Sequence, residues 1–475
     1  MDRYSAKSSH DLRNLHRNRQ KETAIACRKG GDAGIQERGH DVKRNARRTA
    51  ESKAVRGWLM YDFANSAFAT TILAAVLPVF YETVAGAGLP GNKAEIYWAN
   101  TQTIAMLCVA LISPILGAIA DHVGAKVRFL SIFALMGALA SSGLALVGEG
   151  SWLLASILAI FGSIGFSAGN TFYDAMLPEL ADESRRDDVS SRGYAYGYIG
   201  GGLLLAINVL MIEGWELLGF PSKTIATQAA FATVGVWWIV FALPLFRHVK
   251  DVPKARGEGA ATVVRAGLRR LGETLRGIAR FPELLKYMIA YWFFNNGINT
   301  VIIMATIYGS GIGIEMTHLI IALLITQFVG FPATIAFGKL AMRTGAKRAL
   351  YATLIVYIVI VSFGYFMTSA AHFYALAIMV GLVQGGSQAL ARSLYAGLVP
   401  PSKAAEFFGF LSLSGKFSSV AGPLLFSIVG TLTGSSRLAI LSLVAFFVIG
   451  IVLLFFVQLD KGRREAMSFE ATVRE

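Results

Sequence analysis

Long apolar stretches recur along the chain and alternate with short polar segments. Twelve windows each hold about 20 predominantly apolar residues, the length with which an α-helix crosses ~30 Å of hydrocarbon. They lie near residues 58–83, 96–120, 127–148, 152–177, 191–213, 227–247, 284–310, 314–341, 349–369, 373–399, 405–430 and 437–459. These windows lack the alternation typical of membrane-spanning strands. The pattern therefore predicts an all-α integral membrane protein with twelve transmembrane helices.

The composition agrees with this prediction. Of the 475 residues, 54% are hydrophobic and 16% are charged, whereas soluble proteins carry about 25% charged residues. The net charge of +14 would also suit a nucleic-acid partner, so the placement of the basic residues decides between the two interpretations.

Basic residues concentrate on one side of the predicted bundle. If the N-terminus lies in the cytoplasm, only Lys93, Lys223 and Arg437 of the 44 Lys and Arg residues fall in outer loops. This asymmetry follows the positive-inside rule. It predicts cytoplasmic N and C termini and a location in the cell inner (cytoplasmic) membrane, with the lipid bilayer as a partner and no nucleic-acid partner.

Polar segments divide the chain into regions. Residues 1–57 are basic and hold no signal-peptide stretch, which predicts a disordered cytoplasmic tail; an over-extended reading frame is the alternative. The polar segment 248–283 separates six-helix halves at 58–247 and 284–459, and 460–475 form a second cytoplasmic tail. Within that linker, apolar residues over 261–281 recur at spacings of 3 and 4. This predicts an amphipathic basic helix on the membrane surface, or else a solvated linker helix.

Three motifs recur in the same order in both halves. They begin at Tyr61 and Tyr291, at Gly117 and Gly338, and at Tyr173 and Tyr395, displaced by 230, 221 and 222 residues. One such match has little weight, but three in order predict two duplicated six-helix halves.

The loop after the second predicted helix carries a pattern of glycines and charges, Gly117-x3-Asp121-x2-Gly124-x-Lys126-x-Arg128. The glycines allow a tight turn, Asp121 is suited to cap a helix or pair with a cation, and the two basic residues hold the loop inside. The pattern resembles the signature of the major facilitator superfamily. That resemblance implies two halves packed around a midplane site and transport by alternating access.

The chain departs from that superfamily pattern in two places. The second copy of the loop has Met342 where the first has Asp121, which puts an acidic contact there in doubt. The arginine usual in the fourth helix is also missing from residues 160–165.

Four longer segments resemble a narrower family. They are residues 58–68 (WLMYDFANSAF), 172–178 (FYDAMLP), 385–395 (GGSQALARSLY) and 406–423 (EFFGFLSLSGKFSSVAGP). They are similar to the vacuolar amino-acid effluxer family linked to autophagy, which has bacterial relatives, and the resemblance spans roughly residues 56–460. It implies a secondary active transporter that exports an amino acid or a peptide-like solute.

Polar residues inside the predicted helices are candidates for a substrate cavity because a charge near the bilayer centre costs ~2.5–3.5 kcal/mol. Lys416 lies near the middle of helix 11 and suits a carboxylate; the alternatives are a structural ion pair or a lysine that reaches polar space elsewhere. Asp62 and Asn65 share one face of helix 1. Four roles are open for Asp62: an ion pair with a cation of another helix, a gate, a proton carrier, or a hydrated side chain near the interface. Asn295 and Asn299 share a face of helix 7. They are candidates to bind polar atoms of the substrate, and the alternative is hydrogen bonding to a neighbouring helix.

Helix 10 carries a polar stripe of Gln384, Gln388 and Arg392 at a spacing of four. Arg392 has Asp62 and Asp174 as candidate partners, and a cytoplasmic gate between the halves is the sharper hypothesis. The alternative is an arginine that extends to the nearby interface. Asp174 lies close to the end of helix 4, where gating is favoured over substrate contact.

No catalytic residue, metal site or cofactor is predicted, because the seven histidines fall in tails, loops or helix ends. We expect a monomer that binds a small-molecule substrate, with proton coupling as an open possibility. A non-transporting sensor or scaffold on the same fold, or a drug or lipid exporter, are the competing functions. An apolar cavity would favour the exporter, and the polar stripes favour a polar solute.

Overall fold

The computed structural model describes residues 52–90, 93–251, 280–311 and 314–474, together with positions 262, 265, 266, 269 and 272. Most of the predicted N-terminal tail and of the linker, including its surface helix over 261–281, lies outside the described residues. At residues 416–420 the structure describes the helix backbone only.

Thirteen long helices build most of the described part of the chain, which contains no strand; short helical turns lie at Leu144–Leu146, Leu177–Leu180 and Pro401–Lys403. The long helices are α1 (Ser52–Ala85), α2 (Lys93–Val123), α3 (Lys126–Gly143), α4 (Trp152–Ala175), α5 (Glu183–Glu213), α6 (Lys223–His248), α7 (Pro282–Gly311), α8 (Met316–Thr344), α9 (Ala346–Tyr365), α10 (Ala370–Leu398), α11 (Ala404–Thr433), α12 (Ser436–Phe455) and α13 (Leu459–Arg474).

Ten of these helices are long and apolar enough, over their described residues, to cross a bilayer. The other two long helices, α7 and α11, have 30 residues each. At 1.5 Å per residue each extends for ~45 Å, more than the thickness of the hydrocarbon core. The all-α membrane fold is thus confirmed, while the count of twelve crossings stays a prediction for α7 and α11.

Helix α1 changes its winding along its length. Residues Phe68–Val76 and Tyr81–Ala85 form π-helical turns, and Leu77 donates its backbone N–H to the Ile72 carbonyl five residues back. Pro78 lies between the two π-helical turns and has no N–H to contribute to the regular ladder.

The ends of the chain differ from the predicted tails. Helix α1 already includes Ser52, the first residue of the described range, because the polar residues before Trp58 continue the helix beyond the apolar window. The predicted tail 460–475 is largely the helix α13. Glu283 at the start of α7 accepts a hydrogen bond from the Gln458 N–H at 2.8 Å, and Ala466 is buried, so this segment packs on the bundle.

The long helices pack within each half and across the boundary between halves. Within the halves, α3 packs on α4 and α10 on α8; across the boundary, α2 packs on α11 and α5 on α8. Glycines bring the crossing helices close together: Gly117 of α2 lies against the backbone of Ala405, and Gly338 of α8 lies against Ser191. Both contacts lie near the end of the bundle that carries the α2–α3 loop, which we call the motif face.

Candidate functional site

A central cavity lies between the two halves and consists of two adjoining chambers. The α7 chamber, of about 370 Å³, is enclosed by residues of α4, α5, α7, α10 and α11. The α1 chamber, of about 360 Å³, is enclosed by residues of α1, α4, α5, α7, α8 and α10. The two share a wall of Phe166, Asn170, Asp174, Tyr194, Gln388 and Arg392.

Arg392 closes the central cavity towards the motif face. It is 4% exposed, and its Nη1 lies 2.9 Å from Asp174 Oδ1 and 3.6 Å from Asp62 Oδ2. Its Nε donates to Ser190 Oγ at 3.0 Å and its Nη2 to the Ser190 carbonyl at 2.8 Å. Because Arg392 belongs to α10 and its partners to α1, α4 and α5, one side chain joins the C-terminal half to three helices of the N-terminal half.

Aromatic rings surround the Arg392 guanidinium. Its Cζ lies 4.3 Å from the Tyr194 ring centroid, 4.8 Å from that of Trp58 and 5.5 Å from that of Tyr173. Trp58 stacks on Tyr173 at 4.3 Å and donates its indole N–H to the Tyr173 carbonyl at 2.9 Å. Such contacts favour a cation out of water, so the rings hold the arginine where two carboxylates reach it.

Gly193 permits the close approach of these groups. A Cβ at this position would lie 2.7 Å from the Trp58 ring, 2.9 Å from the Arg392 guanidinium and 3.0 Å from the Asp62 carboxylate. A glycine in α5 therefore leaves the space that the charged cluster occupies.

Two carboxylates share one guanidinium in this cluster. Asp62 also accepts a hydrogen bond from the Tyr173 hydroxyl at 2.9 Å, whereas Asp174 forms the shorter contact with Arg392. Among the charged side chains that line the cavity in the described part of the chain, the acids exceed the bases by one. Within the cluster itself two carboxylates therefore face one guanidinium, and one further positive charge there would balance them.

Amide side chains line the walls of the cavity above the cluster. Asn65 donates to Asn170 Oδ1 at 2.6 Å across α1 and α4. Gln388 lies between the two chambers and Gln384 lines the α1 chamber, so the predicted stripe of α10 faces the cavity. Asn295 and Asn299 line the α7 chamber.

Lys416 falls in α11, but its side chain lies outside the described residues. Ser412 and Gly415, the neighbouring positions of the same helix, line the α7 chamber. Its role as a carboxylate-binding residue stays a prediction.

The loop between α2 and α3 joins the halves through Asp121. This buried carboxylate accepts a hydrogen bond from the Glu406 N–H at 2.9 Å, in the first turn of α11. A negative charge is favourable at a helix N-terminus, where the first N–H groups have no intrahelical partner. Gly124, with φ of +70°, turns the chain between the two helices.

The basic residues of the same loop contact the N-terminal half and the start of the linker. Lys126 lies 3.3 Å from Asp121 Oδ1 and 2.7 Å from Glu179 Oε1. The backbone N–H of Arg128 donates to Asp251 Oδ2 at 2.9 Å, so Asp251 caps α3, while the Arg128 side chain is exposed.

The second copy of the loop has different contacts. Met342 is 51% exposed, and Lys347 donates to the Val457 and Phe455 carbonyls at 2.7 and 3.2 Å, at the end of α12. Met342 carries no carboxylate, so the contact that Asp121 makes between the halves has no counterpart at this position, where the sequence had put it in doubt. Instead, Asp187 of α5 bonds to the Ser393 hydroxyl, and Ser190 donates to the Ala389 carbonyl at 2.8 Å.

Several residues of the cluster were not among the predicted site residues. Ser190 and Tyr194 lie four residues apart on α5, a polar face like that of α10, and this spacing is the signal that identifies them. Trp58 of the cluster, and Glu179 beside Lys126 of the loop, carry no comparable signal, because nothing in their local sequence indicates which charged group they contact.

Comparisons with known proteins agree on the fold and on one family. A family model described as "Vacuole effluxer Atg22 like" matches residues 50–467. The uncharacterized MFS-type transporter YxiO of Bacillus subtilis (strain 168) is 38% identical, over 86% of this chain and 95% of that protein. Autophagy-related protein 22 of Kluyveromyces lactis is 22% identical, over 87% of this chain and 94% of that protein.

Solved structures of transporters share the architecture at low identity. The proton:xylose symporter XylE superposes with a TM-score of 0.65 and 14% identity, over 88% of this chain and 98% of that one. The human organic anion transporter MFSD10 superposes with a TM-score of 0.64 and 14% identity, over 85% and 99%. At such identity the likeness concerns the major facilitator fold alone.

Proposed function

Since this chain belongs to the vacuole effluxer Atg22-like family and is a multi-pass transporter of the major facilitator superfamily, we propose that it exports a small polar solute, an amino acid or a peptide-like molecule, by alternating access. The observation that carries the proposal is the Arg392 cluster, where a guanidinium and two carboxylates meet at one end of the central cavity.

A solute with an ammonium and a carboxylate group matches that set of charges. The guanidinium of Arg392 suits a carboxylate, and the carboxylates of Asp62 and Asp174 suit an ammonium group. The amides of Gln384 and Gln388 add donors and acceptors for the rest of a polar molecule. The description of the family as a vacuole effluxer supports export as the direction.

The same cluster supports the alternating-access step. Arg392 binds Ser190, Asp62 and Asp174 of the opposite half, and a solute at the cluster competes for the same groups. We infer that solute binding loosens the contact between halves and that the empty transporter restores it. The distribution of basic residues supports placing the motif face on the cytoplasmic side of the cell inner membrane.

Proton coupling is part of the proposal. The excess of one carboxylate over the guanidinium is neutralised by one proton or by the ammonium of a solute. A proton and a cationic solute group then exclude each other at the cluster, which is the condition for exchange of one against the other.

The experiment is uptake of labelled amino acids and dipeptides into liposomes that contain the purified full-length chain. We expect saturable uptake that an imposed pH gradient accelerates and that Arg392→Gln reduces at least ten-fold. Arg343→Gln, which removes an exposed arginine from the second loop copy, is the matched control and should transport at the wild-type rate. Binding of these solutes without uptake would instead identify a sensor and overturn the proposal.

A further inference from the structure

A third cavity adjoins the α1 chamber at the end away from Arg392. It has a volume of about 260 Å³ and lies among α1, α7, α8, α9, α10 and α12. Its wall includes Val301, Ala305, Leu323, Ile360, Phe373 and Val380. We call it the apolar chamber.

The apolar chamber and the α1 chamber have a wall in common. Ala69, Thr70, Ile302, Gln327 and Gln384 line both spaces, so the two cavities are separated by no more than these side chains. Rotation of the Gln327 and Gln384 side chains would join the two spaces into one path from the charged end of the central cavity into the apolar chamber.

One face of α10 changes character along this path. Arg392, Gln388 and Gln384 follow one another at a spacing of four, and the same face continues with Val380, Ala377 and Phe373, which line the apolar chamber. From Gln384 to Phe373 the rise is ~16 Å at 1.5 Å per residue. The polar stripe that the sequence reveals thus ends where an apolar stripe begins.

Apart from Gln327 and Gln384 at the shared wall, the polar side chains that line the apolar chamber are already hydrogen-bonded to backbone. The Tyr308 hydroxyl donates to the Gly364 carbonyl at 3.0 Å, and the Thr326 hydroxyl reaches the Ala322 and Ala377 carbonyls at 3.0 and 3.2 Å. Tyr308 therefore offers its ring, and Thr326 its methyl group, to the chamber. Such a space holds water poorly and accepts apolar groups.

The central cavity contrasts with this wall. The side-chain amides of Gln384 and Gln388 have no hydrogen-bond partner among the described side chains and backbone, and they line the cavity. Each chamber of the central cavity lies within the ~300–1,000 Å³ typical of small-molecule sites. A solute as small as alanine has no group that would reach the apolar chamber.

We propose that the apolar chamber binds an apolar group of the transported solute, so that the substrate is amphipathic, with a charged head at the Arg392 cluster and a hydrocarbon chain or ring beyond the glutamines. The inference rests on the proposed function, because it takes the central cavity as the binding site of the head group. It adds a subsite that selects for the apolar part of the solute.

The test is a series of straight-chain 2-amino acids: alanine, norvaline, norleucine and 2-aminooctanoate. Their binding to the purified full-length chain is measured by titration calorimetry and their uptake in liposomes by competition. Each added methylene that enters the chamber should tighten binding up to about four-fold, the equivalent of ~0.8 kcal/mol, until the chamber is full.

Two reciprocal variants keep the test independent of any one folding defect. Ala305→Phe fills the chamber and should abolish the preference for long chains while leaving alanine binding unchanged. Leu323→Ala enlarges it and should move the best chain length upwards. Ala75→Phe, which adds the same ring in a separate groove among α1, α5, α6 and α8, is the matched control and should leave the series unchanged.

Affinity that does not depend on chain length, or that changes equally in Ala305→Phe and Ala75→Phe, would overturn the subsite while the proposed function stands. If no member of the series binds, the proposed head-group site fails, and crystals under xenon pressure then decide the subsite separately. Xenon in the apolar chamber supports it, and ordered water in its place overturns it.

Discussion

The two sides of the boundary between the halves share their backbone packing and differ in their charges. On one side Gly117 lies against the Ala405 backbone, and on the other a Cβ at Gly338 would lie 2.6 Å from the Ser191 Cβ. Yet Asp121, four residues after the first glycine, is fully buried against α11, whereas Met342, four residues after the second, is 51% exposed.

The charged contact on the second side comes from another helix. There Arg392 of α10 reaches Ser190 of α5 and the carboxylates of α1 and α4. Duplication of the halves therefore accounts for the close approach of the helices, but not for the groups that hold them together. One side uses a carboxylate at a helix N-terminus and the other a buried guanidinium, so the two sides should respond differently to loss of charge.

Loss of the guanidinium should have the largest effect. Arg392→Gln leaves two carboxylates buried without their cation and should destabilise the fold by ~3–5 kcal/mol. The triple variant Arg392→Gln, Asp62→Asn, Asp174→Asn removes all three charges and should recover most of that loss. Thermal unfolding of the purified proteins measures both, and a triple variant as unstable as Arg392→Gln would contradict the charge argument.

Substitution of the two glycines should have an intermediate and unequal effect. Gly117→Ala places a methyl group on the Ala405 carbonyl, which is fixed in a helix, while Gly338→Ala meets the side chain of Ser191. Overpacking of this kind costs ~1–3 kcal/mol, so we expect Gly117→Ala near the upper end and Gly338→Ala near the lower end. Gly148→Ala, with open space around it, is the control for the same unfolding measurement. Equal losses of stability in Gly117→Ala and Gly338→Ala would contradict the expectation that a helix backbone moves aside less easily than a side chain.

Changes at the loop acid and its counterpart should have the smallest effect. Asp121→Asn keeps the shape and removes the charge from the α11 N-terminus, which should cost ~1–2 kcal/mol. Met342→Leu alters an exposed side chain and should stay within ~0.5 kcal/mol of wild type. A loss at Met342 as large as that at Asp121 would show that the second copy also carries a contact between halves.

Much of the fold follows from patterns that act over short distances. Apolar windows identify the spans because a bilayer requires ~20 apolar residues in sequence, and the scarcity of charge inside them singles out Asp62, Asp174 and Arg392. The sequence left open which acid Arg392 contacts, and in the structure its guanidinium lies beside both Asp62 and Asp174.

Other features depend on contacts between distant residues and leave no local signal. The tail after residue 459 forms α13 because Arg463 pairs with Glu183 at 2.6 Å and Phe469 packs on Phe281. The apolar chamber arises from six helices, each of which carries an ordinary apolar face. The sequence shows those faces, but not that a space remains between them.

The central claim is that the Arg392 cluster holds the halves together at the motif face and releases them. Arg128 lies in the first loop copy and Arg348 in the second, one position apart in the repeat, and both side chains are exposed. Cys27 and Cys108 are replaced by serine, and spin labels are attached at Arg128→Cys and Arg348→Cys. Double electron–electron resonance in lipid nanodiscs then measures the distance between the two labels, which reports the separation of the halves. We predict one dominant short distance in the otherwise unaltered chain and a second, longer distance that Arg392→Gln strongly populates. Identical distance distributions with and without Arg392 would contradict the account.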